Sequence, residues 1–225
     1  MSNFYVRGMV MNIVGALAIL TCVFLPVGTF NDWQGWVFFA VFEIASQVFW
    51  IYFLINDPEL LKRRMKAGPG AETETSQKII VWLIMIGFIA LLVFPGFDHR
   101  YGWSPVPAYV TIFGDALIVL AFVAFFFILK QNSWAASTIQ VEEGQTVVST
   151  GLYGIVRHPL YTGALLMLIG IPLALGSWWA LAVLVLFFPV LAWRLLDEEK
   201  FLHKNLAGYT EYTQKVRYRL MPYLW

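Results

Sequence analysis

The chain has 225 residues, of which 60% are hydrophobic and only 13% are charged, and its mean hydropathy is +0.69. A soluble globular domain needs more polar surface than this, so the composition excludes that class. The net charge is +1, and because no basic array interleaved with aromatic residues lies outside the membrane ends, we expect no nucleic-acid partner. Cys22 is the only cysteine and the three histidines lack metal-ligand spacing, so we expect neither a disulfide nor a metal site.

Four apolar stretches in the first 129 residues are long enough to cross a bilayer. A spanning helix needs about 20 residues, and the stretches are 9–28, 33–55, 77–95 and 106–129. The first has one arginine before it and no small-residue cleavage site after it, so we expect a retained span rather than a signal peptide.

A short basic helix is predicted over 57–67, after the second span. Asp57 suits the N-cap and Pro58 the first helical position. The basic face of this helix is expected to lie toward anionic lipid head groups. A charge cluster that only sets the membrane topology is the alternative.

The apolar stretch 159–196 is too long for one span and is interrupted by Gly176 and Ser177. We interpret it as two short helices folded into a hairpin. A long polar segment, 130–158, precedes it, and segments of this length are usually functional or disordered. The predicted fold is therefore an all-α polytopic membrane protein with four N-terminal transmembrane helices (1–129), followed by a region at 130–225 that contains the loop, the hairpin and a tail.

The distribution of lysine and arginine predicts the orientation in the membrane. If the N-terminus is cytoplasmic, the loops on the opposite side hold only Arg100, whereas the cytoplasmic ends hold Lys62, Arg63, Arg64, Lys66, Lys130, Arg157 and the basic residues of the tail. This asymmetry follows the positive-inside rule. We expect both termini and the functional site to be cytoplasmic.

The hairpin brings its two cytoplasmic ends together, although they are distant in sequence. It places three residues before and within the first arm, Arg157, His158 and Tyr161, beside three of the second, Arg194, Glu198 and Glu199. A helix N-terminus at His158 suits an anion. Glu198 or Glu199 suits an ammonium or a ribose hydroxyl, and Arg194 suits a substrate carboxylate. The alternative is that these charges only anchor helix ends at the lipid surface.

A series of motifs resembles the isoprenylcysteine carboxyl methyltransferase family and the related phospholipid methyltransferases. In order, they are G-x-Y at 151–153, R-H-P-x-Y at 157–161, the hairpin, R-x-x-x-E-E at 194–199, Y-x-x-Y at 209–212 and R-L-x-P at 219–222. The resemblance covers roughly the last 95 residues. R-H-P-x-Y alone is less specific, since membrane sterol reductases carry a similar motif.

The resemblance implies a site for S-adenosyl-L-methionine, which leaves as S-adenosyl-L-homocysteine. The residues of this chain that the resemblance assigns to cofactor binding are Gln145, Thr146, Val147, Val148, Tyr153, His158, Pro159, Leu160, Tyr161 and Glu198. The substrate-side arginine falls on Arg194 if one residue is missing near Gly208; otherwise the register of Arg194 and Glu198 shifts by one. Arg194 and Glu198 are thus the predicted catalytic residues. The family has histidine where this chain has Gln145.

The implied function is a methyltransferase that acts on a lipid or lipidated substrate at the cytoplasmic interface, of the isoprenylcysteine carboxyl type. A carboxylate acceptor needs no base, whereas an amine acceptor must lose a proton. Phospholipid N-methylation is the alternative. Less favoured are an NADPH-dependent membrane reductase, for which 130–158 offers no basic cluster to hold the extra phosphate, and a non-catalytic scaffold.

Three polar residues are predicted inside the spans. We expect the side chains of Glu43, Gln47 and Asp115 to form hydrogen bonds with neighbouring helices, and Asn12 is a candidate partner. Asp98 to Arg100 is expected to be loop on the opposite side of the membrane.

Overall fold

The protein is described by a computed structural model that covers residues 2–225, and this part of the chain contains no β-strand. Two short 3-10 turns lie at Pro69–Ala71 and Gly151–Gly154. The α-helices are α1 (Ser2–Val27), α2 (Trp33–Asn56), α3 (Pro58–Met65), α4 (Thr75–Tyr101), α5 (Ala108–Gln131), α6 (Pro159–Ala174), α7 (Ala180–Asn205) and α8 (Tyr209–Lys215).

Five of these helices, α1, α2, α4, α5 and α7, are long and apolar enough to cross a membrane. The all-α polytopic membrane fold predicted from the sequence is confirmed. α6 has 16 residues, which is about 24 Å and shorter than a hydrocarbon core of about 30 Å. α4 ends only at Tyr101, so the expectation that Asp98 to Arg100 form a loop is wrong.

The hairpin is formed by α6 and α7, and its turn contains Gly176, whose φ of +70° favours glycine. The second arm was expected to end near Leu196, but α7 continues to Asn205. The charged run after Leu196 is rich in Glu, Lys and Leu, which are good helix formers. The arms therefore differ in length, and the last turns of α7 extend beyond the start of α6.

α5 and α6 approach each other closely at two glycines. A Cβ on Gly114 would lie 2.2 Å from the backbone nitrogen of Ala174, and a Cβ on Gly170 would lie 2.9 Å from the carbonyl oxygen of Gly114. Small residues allow such close backbone contact between membrane helices. This contact packs the first arm of the hairpin directly against α5.

The buried core joins six helices through residues such as Phe24, Phe38, Leu91, Ile118 and Phe187. Residues 57–74, 132–158 and 206–225 lie at one end of the bundle, which we call the site face. The connections 28–32, 102–107 and 175–179 lie at the other end, the opposite face.

The polar residues within the spans behave in two ways. Gln47 donates to the side chain of Asn12 at 3.2 Å and to Glu43 at 3.4 Å, so the predicted contact with α1 is confirmed. Both carboxyl oxygens of Asp115 are buried without a hydrogen-bond partner among residues 2–225. The expectation that Asp115 bonds to a neighbouring helix is therefore wrong, because α6 approaches this part of α5 through apolar residues and glycine.

Candidate active site

The segment between α5 and α6 is ordered by contacts with α3. Asp57 caps α3 by accepting the Leu60 N–H at 3.0 Å, as predicted. Arg63 then binds Glu142 at 2.9 Å and the Ser133 carbonyl at 3.2 Å. This guanidinium of the basic helix therefore lies toward the protein loop rather than toward lipid head groups. The polar segment lies over the ends of the spans because α3 holds it there.

Glu199 is the centre of a buried cluster of charges. His158 Nε2 and Arg157 Nε lie 3.2 Å and 3.1 Å from its Oε1, and Arg219 Nε lies 2.8 Å from its Oε2. Its side chain is only 7% exposed. The backbone N–H groups of Arg157 and His158 also donate to the carbonyls of Tyr218 and Arg219, both at 2.9 Å. The R-H-P turn, α7 and the tail are thus joined at one carboxylate.

His158 occupies the N-cap position of α6, as predicted, but its side chain makes no capping bond. Only its carbonyl serves the helix, accepting the N–H groups of Tyr161 at 3.1 Å and Thr162 at 3.3 Å. The ring is buried against Glu199. The His158 side chain therefore belongs to the charge cluster rather than to the helix cap.

Glu198, the neighbour of Glu199, points to a different place. Its carboxylate accepts the Tyr161 hydroxyl at 2.6 Å and lines a cavity. Adjacent residues on a helix are about 100° apart, so one glutamate faces the cavity while the other lies behind its wall. The hairpin brings Tyr161 and Glu198 together as its antiparallel geometry predicted.

The cavity, which we call the site cavity, lies between the loop, the hairpin ends and the tail. Its empty volume, which includes space open to solvent, is about 790 Å³. All ten residues predicted for the cofactor line it, namely Gln145, Thr146, Val147, Val148, Tyr153, His158, Pro159, Leu160, Tyr161 and Glu198. The folded chain thus gathers four separate sequence segments around one space.

The wall also contains residues that the prediction did not include. Leu202, Leu206, Tyr209 and Tyr212 come from α7, α8 and their connection, and others come from 132–140. The Y-x-x-Y spacing was the available signal for the tyrosines, because i and i+3 share a helix face. The leucines carried no signal, since an apolar residue in a helix is ordinarily packing.

Burial raises the pKa of three tyrosines of the wall above the ordinary value. Burial raises the pKa of Tyr153 to about 12, and Tyr212 donates its hydroxyl to the Tyr153 carbonyl at 2.7 Å. Burial and the charges of Glu199 and Glu198 raise the pKa of Tyr209 well above its ordinary range. Its hydroxyl has no hydrogen-bond partner among residues 2–225. These phenols are neutral at physiological pH and act as donors or packing surfaces.

Arg194, the predicted substrate-side residue, does not line the site cavity. Its guanidinium is buried and binds Glu72 at 2.7 Å and the Ser137 carbonyl at 3.3 Å, and it also donates to Gln77. The guanidinium of Arg194 is thus engaged by the connection before α4, by the first turn of α4 and by the polar loop. In this arrangement Arg194 ties these segments to α7.

The residues around the site cavity fit S-adenosyl-L-methionine. Glu198 offers a carboxylate for an ammonium or a ribose hydroxyl, and leucine and tyrosine side chains offer apolar surface for an adenine. The backbone N–H groups of 146–148 have no acceptor among the described residues, whereas that of Gln145 donates to Glu142 at 3.1 Å. Unpartnered N–H groups beside a cavity suit the carboxylate end of an amino acid.

Comparison with known proteins relates this region to membrane methyltransferases. Residues 109–208 match the family described as phospholipid methyltransferase. Protein-S-isoprenylcysteine O-methyltransferase B of Arabidopsis thaliana is 29% identical over 143 residues, covering 59% of this chain and 66% of that protein. The resemblance predicted from the motifs is confirmed.

Two further relatives carry different names. Delta(14)-sterol reductase TM7SF2 of Mus musculus is 34% identical over 95 residues, which are 39% of this chain and 22% of that protein. Cobalt-zinc-cadmium resistance protein CzcN of Cupriavidus metallidurans is 28% identical over 142 residues, or 63% of this chain and 62% of that protein. The chain therefore spans less than two thirds of the length of each of these three relatives.

Proposed function

We propose that the protein is an integral membrane methyltransferase that uses S-adenosyl-L-methionine to methylate a lipid or lipidated substrate. The observation that carries the proposal is the site cavity, which collects the ten residues that the motif resemblance assigned to the cofactor. Residues 130–225 are proposed as the cofactor-binding region and 1–129 as the acceptor side. The similarity to an isoprenylcysteine O-methyltransferase supports the same class of reaction.

The proposed roles follow from the position of each group. Glu198, oriented by Tyr161, accepts hydrogen bonds from the cofactor. His158 and Glu199 hold the R-H-P turn against the tail, which shapes the wall. When bound, the cofactor supplies a methyl group whose carbon–sulfur bond breaks, with the electron pair kept by sulfur, as the acceptor forms its new bond to carbon. The chain contributes positioning, which accounts for much of the rate in such a displacement.

The site favours a carboxylate acceptor over an amine. An amine must release a proton to a base, and the acid–base groups of the cavity are engaged: Glu198 with Tyr161 and His158 with Glu199. A carboxylate attacks in its ordinary ionised form. We therefore propose carboxyl methylation of the isoprenylcysteine type, with phospholipid N-methylation as the alternative that the family description supports.

The site face is proposed to be cytoplasmic, together with both termini. The basic residues of α3, the end of α5 and the tail lie on this face, while the opposite face holds Arg100, which follows the positive-inside rule. Single cysteines at 145 and 100, in a chain lacking Cys22, test this with a membrane-impermeant thiol reagent on intact cells. Labelling at 100 and protection at 145 are expected; the reverse pattern would invert the topology.

The similarity to a sterol reductase keeps an NADPH-dependent reductase as the second candidate. The extra phosphate of that cofactor needs an available cation. Arg157 lines the site cavity, but its Nε lies 3.1 Å from Glu199, so its charge is already paired.

Calorimetry of the detergent-solubilised chain with S-adenosyl-L-homocysteine and with NADPH separates the candidates. Binding of the first ligand alone supports the methyltransferase. Binding of NADPH alone would support the reductase, and binding of neither would support a scaffold.

A further inference from the structure

A groove in the membrane-spanning part of the molecule reaches the site face near the cavity. It lies between α1, α2 and α5 and has an empty volume of about 1180 Å³, including its open part. Ile19, Phe42, Phe122, Phe125 and Met167 are among its mostly apolar lining residues. From Phe42 to Trp50 it follows α2 for about 12 Å. A groove of this composition suits a hydrocarbon chain.

The groove and the site cavity adjoin through one packed cluster of side chains. Leu61 and Leu129 line the groove, and they belong to the same packed cluster as Ala135 and Leu160, which line the cavity. Arg64 also lines the groove, and its Nη1 donates to the Ala135 carbonyl at 3.3 Å. Arg64 is therefore a cation at the boundary between the two spaces.

Unlike the four other arginines around the site that are partly or wholly buried, Arg64 has no carboxylate partner among residues 2–225. Arg63 pairs with Glu142, and Arg194 pairs with Glu72. Arg157 and Arg219 both pair with Glu199.

Arg64 is partly buried, and this burial lowers the pKa of its guanidinium from the ordinary value. A partly desolvated charge without an opposite charge is unfavourable. The position therefore favours an anion that arrives from outside the chain.

We propose that Arg64 binds the carboxylate of the lipid acceptor, while the hydrocarbon chain of that acceptor lies in the groove between α1, α2 and α5. The inference rests on the proposed function, because it identifies this groove as the acceptor side of the site. It assigns the recognition of the anion to Arg64 rather than to Arg194, whose fork is occupied by Glu72 and Gln77.

Charge matching selects a carboxylate head group over a phosphate monoester. A phosphate monoester carries about −1.5 to −2 charges at pH 7 and needs more than one cation, but the adjacent Arg63 is engaged by Glu142. A carboxylate matches one guanidinium, which can bind it through two parallel hydrogen bonds.

Glu43 also orients the lipid in the groove. Its side chain lines the groove within the span and accepts from Gln47 at 3.4 Å. The groove offers no lysine or arginine beside Glu43, and Arg64 is the one such residue among those that line it, so an acidic lipid places its head group at Arg64 and its chain past Glu43.

Photo-crosslinking tests the inference with a probe that does not depend on turnover. The probes are a C16 carboxylic acid with a diazirine in its chain and the methyl ester of the same acid, each incubated with the full chain in detergent. We expect the acid to label groove peptides at least five-fold more than the ester, because only the acid pairs with Arg64.

Three variants complete the test. Arg64→Gln should abolish the preference for the acid, whereas Lys62→Gln should keep it, since Lys62 is exposed on the same helix and pairs with Glu59. Gly15→Leu should reduce labelling by both probes, because Gly15 lines the groove and a Cβ there would meet no atom within 4 Å. The affinity for S-adenosyl-L-homocysteine and the thermal unfolding temperature of each variant show that it is folded.

The possible outcomes are distinct. Equal labelling by acid and ester in the unmodified chain, or a preference retained in Arg64→Gln, would overturn the inference. Equal competition by a phosphatidic acid would overturn the choice of carboxylate. If S-adenosyl-L-homocysteine fails to bind but the acid preference depends on Arg64, the proposed methyltransferase fails while the lipid site stands.

Discussion

The two adjacent glutamates of α7 should respond to the same change in different ways. Glu198 faces the site cavity and accepts one hydrogen bond from the protein, from Tyr161. Glu199 lies behind the wall with Arg157, His158 and Arg219 around it. Replacing each carboxylate by the amide of the same shape isolates the effect of its charge.

Glu198→Gln should weaken binding of S-adenosyl-L-homocysteine and leave stability nearly unchanged. A charge-assisted hydrogen bond contributes about 1.5–3 kcal/mol, which is about a 10- to 150-fold rise in Kd.

Glu199→Gln should mainly destabilise the fold, since it leaves a buried cluster of cations without their carboxylate. Breaking a buried pair costs about 3–5 kcal/mol, although Arg219, at 30% exposed, contributes less than the other two partners. For a chain of this size, that corresponds to a fall of about 6–20 °C in Tm.

The assay is calorimetric Kd and thermal unfolding on both variants in one detergent. An unchanged Kd in Glu198→Gln would refute the assignment of the cavity wall. A Glu199→Gln protein with the stability and affinity of the unmodified chain would refute the charge cluster.

Three further changes test other contacts of the site. His158→Ala should weaken binding of S-adenosyl-L-homocysteine in a protein that still folds, because it removes one of several partners of Glu199; unchanged affinity would mean that the R-H-P turn only anchors α6. Arg194→Lys keeps the charge beside Glu72 but loses the planar fork. Because this guanidinium holds the polar loop and the connection before α4 against α7, the variant should have a lower Tm and a higher Kd for S-adenosyl-L-homocysteine; unchanged values of both would contradict this. Tyr212→Phe leaves the buried Tyr153 carbonyl without its donor, so unfolding free energy should fall by about 1–3 kcal/mol, which an unchanged Tm would contradict.

The sequence predicted those parts of the fold that depend on local pattern. Apolar length located the spans, and Gly176 with Ser177 located the hairpin turn. Antiparallel geometry then correctly placed His158 and Tyr161 beside Glu199 and Glu198.

Contacts between distant segments could not be predicted, because several partners were equally compatible with the pattern. Nothing near Arg194 in sequence indicates Glu72, which lies in a polar connection more than a hundred residues earlier. The same applies to Arg63, whose partner Glu142 comes from the loop rather than from a lipid head group. Only the structure shows which of these arginines pair with a carboxylate, and that Arg64 does not pair with one among residues 2–225.

Transfer of a labelled methyl group tests the central claim most directly. The chain in nanodiscs is incubated with S-adenosyl-L-methionine labelled in its methyl group and with a total lipid extract, alongside the Glu198→Gln variant. We predict label in an organic-extractable, base-labile product of the unmodified chain, as expected for a methyl ester, and at least ten-fold less with the variant. No labelled lipid above a protein-free control, or equal labelling by both proteins, would contradict the account.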